Sequence, residues 1–269
     1  MEIKIGSKIM FSFFQYIKHY FTSKHKGHSV HSPFVFNFIN NILLNDGEFY
    51  CFEKIEAIRK KLLNDNRTIE ITDLGAGSKI YKTNKRVISK IAKTSVISEK
   101  EAKLLFRIVN YFQPKNIIEL GTSLGISTLY LANTGKQTQV FTIEGDKQIY
   151  NIAKSYFSLL EQNNIKSYND NFDYRLPEIL NELDTVDCVY IDGNHTKEAS
   201  LRYFNMLLPK VTDKSILIFD DIYWNKDMLS AWNEIKANKQ VKLTIDLYYF
   251  GIVLFRTEQP KEDFKLFVN

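Results

Sequence analysis

Cysteine, proline and glycine are all scarce in this chain of 269 residues. The 2 cysteines, Cys51 and Cys188, stand in neither a CxxC nor any other metal-ligand spacing. That excludes a disulfide framework and a thiolate metal centre, and it predicts two buried free thiols in a reducing, cytoplasmic setting. With only 5 prolines and 11 glycines, the chain is neither collagen-like nor a low-complexity disordered polymer. No apolar run approaches the roughly 20 residues that span a bilayer. The opening MEIKIGSKIMFSFFQYIKHYF is interrupted by Lys18 and His19 and has no small-residue cleavage site, so it reads as a helix rather than a signal peptide. Internal repeats are absent as well.

What is present is apolar bulk: 44% hydrophobic residues, enough for a core in one large domain or one standard domain with an appendage. The net charge of +5 is mild but uneven. Residues 1–31 hold Lys4, Lys8, Lys18, Lys24 and Lys26 against Glu2 alone, together with His19, His25, His28 and His31. Such an arm could face an anionic substrate, nucleic acid or a membrane surface; a solvated helix face and loop is the plainer reading.

Residues 1–95 read as mostly helical. Ile5, Ile9, Phe13, Tyr16, Ile17 and Tyr20 mark an apolar stripe. In HSPFVFNFINNILL, Ser32 is a candidate N-cap and Pro33 a first helical residue, and FEKIEAIRKKLL (52–63) is a third amphipathic helix. From Glu99 the character changes. A helix over 101–112 ends at Pro114, and then short apolar runs alternate with helical stretches. The strands are expected at 116–120, 140–144, 165–169, 187–192 and 215–220. Five β-α units in a row predict an α/β fold with a doubly wound, mostly parallel sheet. VKLTIDLYYFGIVLFRT (241–257) predicts an antiparallel hairpin at one edge of that sheet. The expected organisation is a helical region 1–95 shaping the substrate side, and a nucleotide-binding domain 96–269.

In open parallel sheets, ligands bind beyond the C-terminal strand ends. The first of these ends in ELGTSLGIS (119–127), where Gly121 and Gly125 permit a sharp turn and close backbone approach. The second ends in Glu144, 25 residues after Glu119. A carboxylate there can accept both hydroxyls of a ribose; it could also be a helix N-terminal acid favoured by the dipole. TDLGAGS (72–78) is a rival glycine loop, but no apolar strand ending in an acid follows it, so it reads as a turn or as a loop over the active site. The fourth and fifth strands end in Asp192 and in Asp220–Asp221. Three converging carboxylates repel one another unless a proton or cation compensates, and an all-oxygen set selects Mg²⁺, Mn²⁺ or Ca²⁺. Alternatively, Asp221 caps a helix near Trp224. His195, three residues beyond Asp192, is a candidate general base or simply the start of the next helix.

Taken in order, ELGTSLGIS, TIEGD, DNFDYRLPEIL, VYIDGNH and IFDDIYW make residues 97–269 resemble the class I S-adenosylmethionine-dependent methyltransferases, nearest to the catechol and caffeoyl-CoA O-methyltransferases. The resemblance implies a Rossmann-like sheet and transfer of a methyl group to a hydroxyl of a small-molecule acceptor. It implies that Gly121 and Ser123 line the methionine end of the cofactor, that Ser127 binds its carboxylate, and that Glu119 and Gly125 belong to the same cofactor site. Glu144 would hold the ribose, and Asn171 and Phe172 the adenine. Asp192, Asp220 and Asp221 would match the metal ligands of the metal-dependent relatives, with Asp192 and His195 serving catalysis. Asp170 departs from the glycine usual at its position, and Asp221 stands where many relatives have Asn. Protein and RNA acceptors and a non-catalytic cofactor-binding role are the alternatives. Nucleic acid is disfavoured because no Arg- and aromatic-rich platform is visible, and IDGNH replaces the loop typical of base N-methylation. A homo-oligomer is allowed but not specified.

Overall fold

The computed structural model describes residues 2–24, 30–71 and 84–267. Helix α1 (Glu2–Thr22) is followed by α2 (Pro33–Phe38), which runs on into a π-helical turn at Ile39–Leu43. Ser32 accepts the Val35 N–H, and Pro33 sits where no N–H is needed. The middle of the chain holds α3 (Phe52–Leu63), β1 (Thr68–Glu70), β2 (Lys85–Val87), α4 (Ile88–Thr94), α5 (Glu99–Phe112), β3 (Asn116–Leu120) and α6 (Ile126–Ala132). It continues with β4 (Gln139–Glu144), α7 (Lys147–Leu159), β5 (Ile165–Asn169) and α8 (Phe172–Glu182). The last part holds β6 (Val186–Ile191), α9 (Lys197–Leu207), β7 (Val211–Asp220), α10 (Lys226–Ala237), β8 (Leu243–Asp246), β9 (Phe250–Leu254) and β10 (Glu262–Lys265). The fold is mixed α/β with mostly parallel strands, as the β-α alternation predicts. No described helix is long and apolar enough to cross a membrane.

Two compact units form: Asp46–Asp184, and Met1–Asn45 with Thr185–Asn269. In the former, β3 pairs with β4 and β4 with β5, all parallel; Leu120 lies level with Ile143, and Glu144 with Asn169. Helices α3 and α4 bury Phe52, Ile55, Ile58, Leu62 and Ile88 in the same core as Phe106, Leu124, Leu129 and Phe157. The Phe52 ring meets those of Phe106 and Tyr130 at 5.0 and 5.2 Å between centroids. Each such fully buried side chain contributes about 1.5–3 kcal/mol, so α3 and α4 are part of the same core as the helices that flank β3–β5. A capping box fixes the start of α5: Ser98 takes the Glu101 N–H, and Glu101 reaches back to the Ser98 N–H.

Two features differ from expectation. Residues 1–95 are not wholly helical, since β1 and β2 pair antiparallel from Thr68↔Val87 to Glu70↔Lys85. Three-residue strands are too short to show an alternating pattern. DLGAGS lies outside the described residues. In the other unit, β6 and β7 are parallel while β9 is antiparallel to both β7 and β8, which is the expected hairpin. That hairpin is not an edge, because β10 lies outside β8 and runs parallel to it. EDFK, with one buried apolar residue, gives no strand signal of its own.

Candidate active site

Four non-glycine residues with left-handed backbone follow strand ends: Ser123 (φ 47°) after β3, Asn194 (φ 53°) after β6, Asp221 (φ 53°) after β7 and Tyr248 (φ 73°) after β8. Such conformations cost on the order of 1–3 kcal/mol each and gather at ligand-binding sites. The strand ends are therefore where this chain holds its backbone under tension.

Within Asp46–Asp184, the turn from β3 to α6 is folded back on β4. Gly121 (φ 108°) and Thr122 both donate their N–H to the Ile143 carbonyl, and Ser123 N donates to Glu144 Oε2 at 2.9 Å. Glu144 Oε1 accepts from Asp146 N at 3.0 Å. Asp146 caps α7 through Gln148 N and Ile149 N, so Glu144 stands beside the start of that helix without capping it. Burial pushes the Glu144 carboxyl up to about 7, even though both backbone N–H groups favour its charged form. Gly125 (φ 85°) is held against α7: a Cβ there would lie 2.7 Å from Phe157 Cε1.

Glu119 is fully buried below this turn. The hydroxyls of Thr128 and Thr142 donate to its Oε2, Ser127 stands beside it, and burial raises its pKa. Its Oε1 has no hydrogen-bond partner among the described residues. An unpaired buried carboxyl oxygen under a glycine turn, beside a carboxylate at the next strand end, fits a ligand with donors at both ends. Ser123 Oγ donates to the Ser95 carbonyl at 3.2 Å, so the turn is tied to the segment before α5. Asn171 accepts the Asp173 N–H as the cap of α8, and Phe172 is half-buried as the first helical residue. Asp170, the departure noted above, pairs with Arg175 at 2.9 Å.

In the other unit, the carboxylates follow β6 and close β7. Tyr190, buried on β6, donates its hydroxyl to Asp220 Oδ2 at 2.9 Å and reaches Asp192 Oδ2 at 3.4 Å. Asp220 Oδ1 accepts the Asp221 N–H, which also points at the Tyr249 carbonyl. Among the described residues, no group of three or more His, Cys, Asp or Glu side chains is arranged to hold a metal ion. Of the expected Asp192–Asp220–Asp221 set, the first two share the Tyr190 hydroxyl, which has one proton to donate and lies nearer Asp220. Tyr190 was missed, although strand period 2 puts it on the same face as Asp192. Asp221 does not cap a helix either, since Asn225 caps α10 through Met228 N.

His195 Nε2 lies 3.6 Å from Asp192 Oδ1, and its ring is 6.2 Å from that of Trp224. Thr196, not His195, caps α9. Burial lowers the His195 pKa and outweighs Asp221, whose charge raises it, so the neutral ring predominates near neutrality.

Comparison with known proteins agrees with this architecture. Residues 118–222 match a family model described as a methyltransferase domain. An O-methyltransferase from Bacillus cereus, solved with S-adenosylhomocysteine, is 17% identical and covers 82% of this chain and 96% of its own, with a TM-score of 0.55. A methyltransferase from Podospora anserina, also S-adenosylhomocysteine-bound, is 12% identical over 84% of this chain and 97% of its own, TM-score 0.58. The O-methyltransferase TomG from Streptomyces achromogenes, solved with S-adenosylmethionine, is 16% identical over 81% and 94%, TM-score 0.53. These likenesses show a Rossmann-like methyltransferase fold. With the domain match over residues 118–222, they place this chain among proteins of that fold.

Proposed function

We propose that this enzyme methylates a hydroxyl of a small molecule, with Glu144 and the Gly121–Gly125 turn holding S-adenosylmethionine. The observation that carries the reading is the Glu144 carboxylate, which keeps lone pairs for two ribose hydroxyls while two backbone N–H groups fix its oxygens. The buried, unpaired Glu119 Oε1 supports it. In this reading Ser123, Ser127, Asn171 and Phe172 complete the cofactor side. When bound, S-adenosylmethionine supplies an electrophilic methyl on a sulfonium.

The remaining work is to orient an acceptor hydroxyl and take its proton. His195 is the base: its ring is neutral, and Asp192 stands at ion-pair distance to favour the imidazolium once it forms. Asp220 and Tyr190 keep Asp192 in place. No step is drawn through a divalent ion.

The division into an acceptor-shaping 1–95 and a cofactor-binding 96–269 also belongs to this proposal. It is supported by α1, whose Ser12, Tyr16 and His19 meet Tyr248 just beyond β8. The buried free thiols of Cys51 and Cys188 suit a cytoplasmic enzyme.

The test is His195→Asn, assayed by methyl transfer from S-adenosylmethionine to a panel of hydroxyl compounds. The expected loss is roughly 10²–10⁴-fold in kcat, with S-adenosylhomocysteine affinity kept within about twofold. Unchanged turnover would remove His195 from the reaction. Activity that vanishes on chelation and returns with Mg²⁺ would restore the metal.

A further inference from the structure

Helix α1 has two apolar faces, and among the described residues one is packed and the other exposed. On the packed face, Tyr16 and Tyr20 meet Phe267, and Tyr16 and His19 meet Tyr248, with centroids 5.0–6.1 Å apart. His19 is buried and its Nε2 lies 3.0 Å from Asp246 Oδ1, while Ser12 bonds the Tyr248 hydroxyl. On the opposite face Met10, Phe13, Phe14, Ile17 and Phe21 recur at helical spacing and are 56, 60, 60, 37 and 78% exposed. Five large apolar side chains over three turns form a continuous patch of the kind that marks an interaction surface.

Charge identifies the partner. The α1 sequence carries Lys4, Lys8 and Lys18 against Glu2 alone, and Lys24 and Lys26 follow it. A symmetric pairing with a second copy would bring these lysines against each other. A surface that is apolar within and anionic at its rim fits both features at once. We propose that α1 docks this protein on an anionic lipid bilayer, with the phenylalanines entering the acyl boundary, the exposed Lys18 meeting the headgroups and the basic character of residues 1–31 drawing the segment to the surface. The packed face leaves α1 rigidly attached, so docking needs no unfolding. This inference is independent of the acceptor's identity and of the roles given to Glu144 and His195.

The experiment is co-sedimentation of the full chain with phosphatidylcholine vesicles, with and without about a third phosphatidylglycerol. Binding is expected to the anionic vesicles and to weaken with salt. Phe13→Ser combined with Phe21→Ser should lower the partition coefficient by about tenfold or more, given the apolar area withdrawn from lipid. Lys18→Glu should weaken binding chiefly at low salt. Circular dichroism and the melting midpoint of both variants should match the wild type, which separates lost docking from lost folding. Wild type that stays in the supernatant with anionic vesicles at low salt would overturn the proposal. So would equal partition by the Phe13→Ser/Phe21→Ser variant. A dimer in light scattering that this variant dissociates would reassign the face to a second copy. Tighter binding to RNA than to vesicles, lost with Lys18→Glu but not with the phenylalanine changes, would reassign it to nucleic acid.

Discussion

In the proposed cofactor site, the buried carboxyl of Glu144 is the group most open to test. Burial raises it from an ordinary 4.5 to about 7. Between those values the folded chain keeps a proton that the unfolded chain has released. Its contribution to stability is therefore largest at low pH and declines as pH rises toward 7. Ligand binding should run the other way, because ribose hydroxyls donate to the charged form. S-adenosylhomocysteine affinity is expected to rise with pH and level off above about 7, weakening by up to about tenfold per unit below it. Glu144→Gln should flatten that dependence. Calorimetry at several pH values checks this; an affinity that improves on acidification would contradict it. The acid at this strand end was legible from its distance to Glu119. The hydrogen bonds that hold it, from Ser123 N and Asp146 N, were not, because backbone donors carry no sequence signature.

Among the elements, the turn from β3 into α6 is the most constrained. Gly125 combines a left-handed backbone with a Cβ position 2.7 Å from Phe157 Cε1 and 3.1 Å from Ala153 Cβ. Gly125→Ala should destabilise the protein by about 1–3 kcal/mol in urea unfolding, from strain plus overpacking. Adding Phe157→Leu should recover only part of that loss, since the backbone strain remains. Full recovery would show that the strain costs nothing. Helix α1 offers a second test at this scale. Asp246 accepts from Tyr223 and Tyr248 N and pairs with His19; burial pushes its pKa up, and these partners bring it below the usual range. His19→Ala leaves that buried carboxylate short of a partner and should cost about 1–3 kcal/mol, with faster amide exchange over residues 10–22. Unchanged exchange would mean α1 is held by its tyrosines alone. Most helices and the five main strands could be read from periodicity and from capping residues such as Ser32. β10, β1 and β2 could not, because they are three or four residues long and owe their existence to a neighbour. Residue type and strand position placed three acids near strand ends, but gave no sign of the Tyr190 hydroxyl beside two of them.

For the whole molecule, the account stands on one claim: the chain binds the S-adenosyl nucleoside at the glycine turn after β3 and at Glu144. Fold likeness alone does not fix activity, so the nucleotide itself must be measured. The most direct measurement is isothermal titration of S-adenosylhomocysteine into the full chain and into Glu144→Ala. The account predicts a single site with a dissociation constant of roughly 1–100 μM for the wild type, and at least about tenfold weaker binding in the variant, as expected for a charge-assisted bidentate contact. No heat with the wild type, or the same affinity in both proteins, would contradict it.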